Sequence, residues 1–390
     1  MSEQIKNICV VTGTRAEYGL LFYLLKELNK STNFNLQIAV TGTHLSPEFG
    51  NTYQQIEQDG FLINAKIEML LSSDTPIGIA KSIGLGVIGF ADAFDRLKPD
   101  IIVLLGDRYE TLAAAQAALP ARIPLVHIHG GEATEGLIDE AIRHSLTKMS
   151  HVHFVTAEPY RNRVIQMGED PKYCFNVSAP GLDNIGNLDL IDKKELEEFL
   201  GIDLKQKIFI VTYHPVTLEE KPSRSINNLI NALNQFDRTS IVFTGTNADT
   251  SGREIRHLIE NYVRKKPRDL AAVETLGQRR YLSLMHYADV VIGNSSSGIL
   301  EAPAMGVPTV NIGIRQKGRL TAPSVISCKT DEDSIKEAIQ KALSDEHIAL
   351  TRKKTSPFGQ PGAAKRMVDH LNNINWNKII IKSFHDILVK

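Results

Sequence analysis

The strongest constraint on the fold is a repeated alternation of short apolar runs with amphipathic stretches. In the first half of the chain, a stretch with helical apolar spacing follows each of the runs NICVVTG, LQIAVTG, DIIVLLGD, PLVHIHGG and HVHFVTA. The runs are rich in β-branched residues and are not interrupted by polar ones, which is typical of strands buried on both faces. Alternation of such strands with helices predicts a parallel sheet with helices on both sides.

The same rhythm restarts in the second half with KIFIVTYHP, SIVFTGTN, DLAAVETL, DVVIGNS and VPTVNIGI. We therefore predict an α/β protein with two doubly wound parallel-sheet domains, which suits a chain of 390 residues. The turn-rich segment 180–195 places the boundary, giving domains over 1–182 and 183–364. The final segment, about 365–390, is predicted to be helical and to pack back on the first domain. Such folds bind ligands at the carboxyl ends of their strands, so we expect the active site in the cleft between the domains.

Charge and cysteine content exclude several classes of function. The formal net charge of -1 gives no electrostatic signature of a nucleic-acid or membrane partner. Cys9, Cys174 and Cys328 are too far apart for a disulfide framework or a zinc site, which fits a reducing compartment. We find no signal-peptide pattern and expect no apolar run of the roughly 18–20 residues that a membrane helix needs. These features predict a cytoplasmic protein.

Two motifs after strands of the first half carry arginine. In GTRAEYG, Gly13 permits a tight turn and Arg15 lies near the free amides of a helix start, which together suit phosphate. The motif is not the GxGxxG fingerprint, so a dehydrogenase is disfavoured. In LLGDRYE, Asp107 can act as a base and Arg108 can hold it ionised or bind phosphate. A glycine turn with a surface arginine, and an N-cap aspartate, are the structural alternatives.

The densest polar cluster is HIHGGEATEGLIDEAIRH. His129, Glu132 and Asp139 combine imidazole with carboxylates, which favours general acid–base chemistry. An HxH pair can also bind a metal, but the next pair, His151 and His153, begins a strand and so lies at the opposite end of a parallel sheet. For Asp139, stabilisation of its own helix is the structural alternative.

The second half has matching positions after its own strands. His214 follows a strand in VTYHPVT and is fixed by the next proline. In GNSSSGILE, Ser295, Ser296 and Ser297 open a helix that suits a diphosphate, and Glu301 lies one turn later, within reach of ribose hydroxyls. An N-cap explains one serine but not three. Arg315 in NIGIRQKGR adds a further cation after a strand.

These motifs, in this order and spacing, resemble the hydrolysing UDP-N-acetylglucosamine 2-epimerases of bacterial sialic-acid synthesis. The resemblance covers about residues 5–370. It is carried by TGTRAEYGLL, GDRYE, HIHGGE, DEAIRHSLTKMSH, HPVT, GTNADT, GNSSSGILEAP and NIGIRQKGR. The resemblance implies a GT-B fold of two Rossmann-like domains, a homodimer or homotetramer, and no metal or redox cofactor. It implies active-site roles for Asp107, Asp139 and His214, and we expect Glu132 to act with them as a catalytic residue. It implies nucleotide-diphosphate contacts for Arg15, Ser295, Ser296, Glu301 and Arg315, with Glu301 on the ribose. We also expect substrate contacts from His44, Arg108, His129, Thr244, Asn247 and Ser297.

Some relatives read HIEGGE where this chain reads HIHGGE. The position of a glutamate treated as catalytic in those relatives is thus occupied by His129, and either His129 or Glu132 is left to take over its role.

The reaction implied by the resemblance converts UDP-N-acetylglucosamine and water to N-acetylmannosamine and UDP through anti-elimination to a 2-acetamidoglucal and hydration. The C2 proton is weakly acidic, so the C1–O bond must break as that proton leaves, and the two sugar faces require two acid–base groups. One alternative is the same reaction on a UDP- or GDP-linked 2,4-diacetamido-trideoxyhexose or on GDP-N-acetylglucosamine. Others are a GT-B glycosyltransferase and a nucleotide-sugar sensor, although a sensor would not need the acidic cluster.

Overall fold

The protein consists of two compact units, each with its own parallel sheet. The computed structural model describes residues 5–71, 75–133, 138–205, 207–214, 222–245, 252–274 and 276–387. One unit comprises Met1–Asp183 and Pro361–Lys390, and the other is Asn184–Gln360. The first unit is therefore discontinuous in sequence.

The sheet of the first unit has seven strands in the order β3-β2-β1-β4-β5-β6-β7, all paired in parallel. Strand β1 pairs with β2 on one side and β4 on the other, which places Val10 beside both Ile38 and Val103. The strands are β1 (Lys6–Thr12), β2 (Phe34–Thr41), β3 (Ala65–Ile67), β4 (Ile101–Leu105), β5 (Leu125–Ile128), β6 (Val152–Val155) and β7 (Cys174–Asn176).

The sheet of the second unit has six strands in the order β10-β9-β8-β11-β12-β13, again all parallel. The strands are β8 (Lys207–Thr212), β9 (Thr239–Thr244), β10 (Leu270–Val273), β11 (Val290–Gly293), β12 (Thr309–Ile312) and β13 (Val325–Cys328). The prediction of two doubly wound parallel-sheet units is confirmed.

Helices lie between most consecutive strands, whereas β12 leads to β13 without one. In chain order they are α1 (Arg15–Lys30), α2 (Tyr53–Gln58), α3 (Pro76–Leu97), α4 (Tyr109–Ala118), α5 (Ile138–Met149), α6 (Glu158–Gln166), α7 (Asp183–Gly186), α8 (Lys193–Leu200), α9 (Pro222–Leu233), α10 (Gly252–Val263), α11 (Gly277–Tyr287), α12 (Ser297–Met305), α13 (Glu332–Ala342), α14 (Asp345–Thr351) and α15 (Ala363–Asn372). Short 3-10 turns span Gly42–Leu45, Pro47–Phe49, Pro171–Tyr173 and Pro180–Leu182.

The first helix shows how local sequence fixes an element that carries site residues. Thr14 and Glu17 form a capping box, in which the Thr14 hydroxyl accepts from the Glu17 amide at 3.2 Å and the Glu17 carboxylate accepts from the Thr14 amide at 3.2 Å. Leu21, Leu25 and Leu28 recur at helical spacing and are buried against the sheet. The cap and the apolar stripe together start α1 directly after β1 and hold it on one face.

The C-terminal segment completes the core of the first unit. Met367 and Leu371 of α15 belong to the apolar cluster on one face of the sheet, together with Leu24 and Val10. Asp183 caps α15, because its carboxylate accepts from the amides of residues 362, 363 and 364 at 2.5, 2.8 and 2.7 Å. The prediction of helix throughout 365–390 is wrong over residues 373–387, which form turns and irregular backbone: asparagines there favour other conformations.

The second unit buries both faces of its sheet in the same way. Phe209 and Val211 of β8 point to one face, where they pack with Ile226, Ile255 and Ile339 of its helices. The intervening Ile208 and Ile210 point to the other face, where they pack with Leu196 and Leu284. This two-residue alternation between two fully buried faces explains the unbroken apolar run of β8.

Helix α3 differs from the sequence expectation. It is the one described helix that is long and apolar enough to cross a membrane by length and composition, so the expectation that no run reaches this length is wrong. Gly86 faces Met69 and Ala113, and a Cβ there would approach their side chains to within 2.8 and 2.9 Å. Phe90 and Phe94 are buried on the same side. The inner face of α3 is therefore packed closely against β3 and α4.

Candidate active site

Arg143 joins the acidic residues at the carboxyl ends of β4 and β5. Asp107 lies two residues beyond β4, and its carboxylate accepts a hydrogen bond from Arg143 of α5. The same guanidinium donates to the Glu132 carbonyl at 3.0 Å and to the Glu140 carboxylate at 3.1 Å. Arg143 is buried and makes charge-assisted contacts that hold Asp107 and the Glu132 backbone in place.

His129 and Glu132 form a pair directly after β5. The His129 amide still donates to the Phe154 carbonyl at 3.0 Å, but its φ of +69° is left-handed, which costs a non-glycine residue about 1–2 kcal/mol. Its Nδ1 lies 2.9 Å from Glu132 Oε1, and the Thr156 hydroxyl donates to the same oxygen at 3.2 Å. Within the described ranges, His129 Nε2 is buried without a hydrogen-bond partner.

The other histidine of the HxH motif has a structural role. His127 is fully buried on β5, and its Nε2 donates to the Gly106 carbonyl at 2.7 Å. Burial lowers the pKa of His127 to about 3, so the ring stays neutral. In the part of the chain that the structure describes, no group of three histidine, cysteine, aspartate or glutamate side chains lies close enough to hold a metal ion.

Asp139 opens α5 on the same side of the sheet. Burial raises its pKa, and the nearby charge of Asp107 raises it further. The structure thus brings together Asp107, His129, Glu132 and Asp139, four residues predicted from the sequence.

A second charged cluster lies beside the end of β1. Arg108 donates to Glu110 at 3.0 and 3.2 Å and lies 4.0 Å from Glu17. Burial raises the pKa of Glu17 to about 7, although the Gly13 amide donates to it at 2.7 Å. Arg108 is therefore largely neutralised by these two acids, whereas Arg15 is exposed at the first position of α1.

His44 is fully buried in the turn after β2. Its Nε2 lies 3.1 Å from the Thr12 hydroxyl, and its Nδ1 lies 2.7 Å from the Thr52 hydroxyl. Burial lowers the pKa of His44 to about 4. Both ring nitrogens are thus occupied, which favours a structural role for this residue instead of the predicted substrate contact.

In the second unit, Asn294 fixes His214. The Asn294 side chain accepts from the His214 amide at 2.7 Å and donates to its carbonyl at 2.8 Å. Gly293 permits this approach, because its φ is +132° and a Cβ there would lie 1.9 Å from the Thr212 carbonyl oxygen. The backbone of the predicted catalytic histidine is therefore locked to the end of the neighbouring strand β11.

The three serines lead from β11 into α12. Ser296 is the N-cap residue, but its hydroxyl makes no capping hydrogen bond. The Ser297 and Ser295 hydroxyls lie 3.3 Å apart, and the Tyr281 hydroxyl lies 2.5 Å from Ser297. The serine run is therefore not a simple cap, and its hydroxyls form a polar group in front of the positive end of a helix.

Glu301 lies one turn into α12. Burial raises its pKa to about 7, and in the described part of the chain its Oε2 is buried without a hydrogen-bond partner. A buried carboxylate oxygen without a donor is costly, which makes Glu301 a candidate for a ligand contact.

The remaining predicted residues lie near other strand ends of the second unit. Arg315 follows β12 and donates to the Asn294 carbonyl at 3.1 Å. Thr244 ends β9, lies 2.6 Å from the Thr212 hydroxyl, and lines a cavity of about 210 Å³ together with Arg256 and Glu274. The predicted contact Asn247 lies outside the described residues.

Sequence reasoning missed Arg143, Tyr281 and Asn294. The available signals were the spacing of four residues from Asp139 to Arg143 on one helix, and the asparagine between an apolar run and the serines. Their partners are 36, 16 and 80 residues away in sequence, so tertiary packing had to be known.

The family now follows from comparison with known proteins. A family model described as UDP-N-acetylglucosamine 2-epimerase matches residues 26–372. The chain belongs to this family, and the resemblance read from its motifs is confirmed.

Individual relatives cover almost the entire chain. A GDP/UDP-N,N'-diacetylbacillosamine 2-epimerase (hydrolyzing) of Campylobacter jejuni is 41% identical over 98% of this chain and 99% of its own. The polysialic acid biosynthesis protein P7 of Escherichia coli is 37% identical over 98% of both chains. The crystal structure of the Neisseria meningitidis UDP-GlcNAc 2-epimerase bound to UDP-GlcNAc matches with a TM-score of 0.77 at 19% identity, covering 94% of this chain and 100% of that one. The fold is thus of the GT-B type.

Proposed function

We propose that the protein is a hydrolysing 2-epimerase of a UDP- or GDP-linked 2,4-diacetamido-trideoxyhexose. The observation that carries this substrate class is the 41% identity, over 98% of the chain, to a GDP/UDP-N,N'-diacetylbacillosamine 2-epimerase. The acid–base cluster around Arg143 supplies the chemistry that such a reaction needs.

The reaction begins with elimination. A base removes the C2 proton, the C–H electrons form the C1–C2 double bond, and the C1–O electrons leave with the nucleoside diphosphate. Water then adds to C1 while an acid adds a proton to the opposite face of C2, which inverts that carbon. Because the two proton transfers occur on opposite faces, they require two groups in different protonation states. The first unit supplies imidazole and carboxylates of this kind in His129, Glu132, Asp107 and Asp139.

The second unit carries the residues suited to the nucleotide. The serine hydroxyls before α12 and the Arg315 guanidinium match a departing diphosphate, whose developing charge they would stabilise. The partnerless oxygen of Glu301 suits ribose hydroxyls. His214, held by Asn294, is assigned to the leaving phosphate.

UDP-N-acetylglucosamine is the second candidate substrate, with N-acetylmannosamine and UDP as products for sialic-acid synthesis. It is favoured by the likeness to the Escherichia coli polysialic acid biosynthesis protein. The family description also names this sugar nucleotide. The two candidates differ in the substituents at C4 and C6 of the sugar, far from the bonds that change.

We also assign the protein to the cytoplasm, since Cys9, Cys174 and Cys328 are free thiols.

A homo-oligomer is part of the proposal, with α3 as the surface that meets a second copy. Ile77, Leu85 and Ile88 are 69%, 44% and 65% exposed on one face of this helix. An antiparallel copy of α3 on a two-fold axis would set Leu85 against Ile88 and the exposed Lys81 against Asp92. Across the two-fold axis, apolar residues of α3 thus face apolar residues of the second copy, and a lysine faces an aspartate. A surface that binds an unrelated partner would not need this self-complementarity.

The proposed function is tested by proton NMR in D2O with each candidate nucleotide sugar. We expect free nucleoside diphosphate and a 2-epimer sugar with deuterium at C2, formed fastest from the diacetamido-trideoxyhexose. Release of the diphosphate without C2 deuteration would indicate simple hydrolysis and would overturn the proposal. Faster turnover of UDP-N-acetylglucosamine would move the assignment to the second candidate.

A further inference from the structure

In the HIHGGE segment, one imidazole nitrogen has no hydrogen-bond partner among the described residues. His129 Nδ1 faces the Glu132 carboxylate at 2.9 Å, so in the neutral ring the proton resides on Nδ1 and is donated to Glu132. The other nitrogen, Nε2, is then a bare acceptor, and no hydrogen bond among the described residues satisfies it. This is the protonation pattern of a general base with an orienting carboxylate.

The surroundings of the pair keep this geometry fixed. Glu132 Oε1 also accepts from the Thr156 hydroxyl at 3.2 Å, and the Glu132 carbonyl accepts from Arg143 at 3.0 Å. Gly131 allows the chain to turn here, since its φ is +79° and a Cβ would lie 2.3 Å from the Tyr160 carbonyl oxygen. His129 itself is held at a φ of +69°, a strained conformation of the kind that clusters at functional sites.

From this geometry we propose that His129 Nε2 is the base that takes the C2 proton, and that Glu132 is its positioning residue. The inference rests on the proposed function. It also decides between His129 and Glu132, which the sequence left open as replacements for the glutamate of some relatives. In the elimination, the C2–H bond breaks, its proton moves to Nε2, its electron pair forms the C1–C2 double bond, and the diphosphate leaves with the C1–O pair. Glu132 then faces an imidazolium, whose charge it stabilises.

The return proton has a separate source. It must come from a second acid, because the two proton transfers occur on opposite faces of C2. As that acid protonates C2, water adds to C1 and the proton released by the water returns to the acid. The imidazolium loses the proton taken from C2 to solvent, which restores the neutral ring.

The test uses the full-length enzyme in D2O and two glycine variants. His129→Gly removes the base without straining the backbone, because glycine accepts the left-handed conformation. We expect C2 deuteration to fall at least about 100-fold, the usual contribution of a general base, with UDP affinity unchanged and partial recovery in added imidazole. Arg122→Gly is the matched control, since Arg122 is exposed and also has a positive φ, of +56°. It should turn over like the wild type.

Glu132→Gln tests the positioning role. Loss of the carboxylate lowers the affinity of Nε2 for a proton, so the ascending limb of the kcat–pH profile should move to lower pH while kcat falls about 10-fold or more. Glu132→Asp should restore part of the wild-type profile. The other titratable and charged groups of this cluster remain in every variant: the neutral His127 on β5, Asp107 after β4, Asp139, Glu140 and Arg143 on α5, and Arg163 on α6.

The outcomes separate the inference from the function on which it rests. A wild-type enzyme that gives no C2 deuteration refutes the proposed function and the inference with it. A wild-type enzyme that deuterates C2, together with a His129→Gly variant within about threefold of its rate, refutes only the inference. A Glu132→Gln variant that loses activity with an unmoved pH limb assigns Glu132 a purely structural role and refutes the division of roles.

Discussion

At the scale of single residues, the site is defined by atoms whose hydrogen-bonding capacity the fold leaves unused. His129 Nε2 and Glu301 Oε2 are both buried without a partner among the described residues. His129 directly follows β5 and Glu301 lies one turn into the helix that follows β11, at strand ends where this class of fold binds its ligands. Unsatisfied polar atoms in these positions distinguish ligand-facing groups from residues such as His44, whose two nitrogens are both bonded.

Glu301 predicts a pH dependence of nucleotide binding. Its pKa is raised to about 7, and only the ionised form is a strong acceptor for ribose hydroxyls. UDP affinity should therefore rise as pH increases from 6 to 8, by up to about tenfold from this group. Isothermal titration calorimetry with UDP would measure the trend.

Because the phosphate of UDP also titrates near this range, the comparison with Glu301→Gln isolates the protein's contribution. The variant should bind with a shallower pH dependence. Glu337→Gln, at an exposed carboxylate on α13 of the same unit, should behave like the wild type. Equal slopes for Glu301→Gln and the wild type would contradict the ribose assignment.

The candidate site could be predicted in part because its residues follow strands that the apolar pattern already locates. Asp107 comes two positions after β4, and His129 comes directly after β5. Arg143 could not be predicted this way, because its role depends on a hydrogen bond to Asp107, which lies 36 positions earlier in the chain. That His127 donates to a backbone carbonyl, whereas His129 Nε2 has no partner among the described residues, likewise depends on backbone conformation, which HIHGG alone does not specify.

At the scale of elements, the strands that the sequence missed all lie at sheet edges, and of the four described edge strands β10 alone was predicted. β3, β7 and β13 contain three, three and four residues and occupy sheet edges. Such short strands need few apolar residues and leave no periodic signal. Helix α3 was missed because its glycines and isoleucines make a long apolar stretch with few polar residues, which hides the helical alternation of apolar and polar positions.

The exposed face of α3 predicts the effect of charge on assembly. Leu85→Glu should shift the protein to a smaller species, because the two-fold arrangement buries this side chain against Ile88 of the second copy. Sedimentation velocity over a dilution series would measure the species. Leu62→Glu, at a leucine that is 76% exposed elsewhere in the same unit, is the matched control and should leave assembly unchanged.

Charge reversal makes the antiparallel geometry itself testable. Lys81→Glu and Asp92→Lys should each weaken assembly, since each places like charges opposite one another. The double variant should restore it, because the pair is then only inverted. A double variant as weak as the single ones would exclude this register of α3 on its copy.

At the scale of the whole molecule, the first unit is built from both ends of the chain. Glu169, after α6, is buried and accepts from Lys382 at 2.6 Å, from Lys148 at 2.6 Å and from His153 at 2.9 Å. Phe384 covers Gly168, so closely that a Cβ there would lie 2.2 Å from its ring. These contacts attach the C-terminal segment to the end of the sheet opposite the candidate site.

Glu169 predicts how this attachment responds to acid. Burial alone would raise its pKa, but His153 and the two lysines outweigh burial and lower the pKa to about 2. A carboxyl group with a lowered folded-state pKa stabilises the fold above its unfolded value and loses that effect as pH falls towards 2, here by at most about 3 kcal/mol. Glu169→Gln should therefore unfold at lower urea concentration at pH 7, and the difference from wild type should shrink below pH 4.

Glu158→Gln is the control for that measurement, since Glu158 makes an exposed ion pair with Arg161 in the same unit. Its effect should stay below about 1 kcal/mol. A Glu169→Gln variant as stable as this control would show that the buried cluster does not hold the C-terminal segment.

The discontinuity of the first unit also sets an order on synthesis. Asn184–Gln360 is continuous in sequence, so this unit can fold while the chain is still attached to the ribosome, as soon as that stretch has emerged. Met1–Asp183 emerges earlier but lacks the α15 side chains of its core until Pro361–Lys390 is released. At about 5–20 residues per second, the half translated first waits many seconds with an open apolar face. The nascent chain therefore completes its second half before its first, and chaperone binding should concentrate on the earlier-made half.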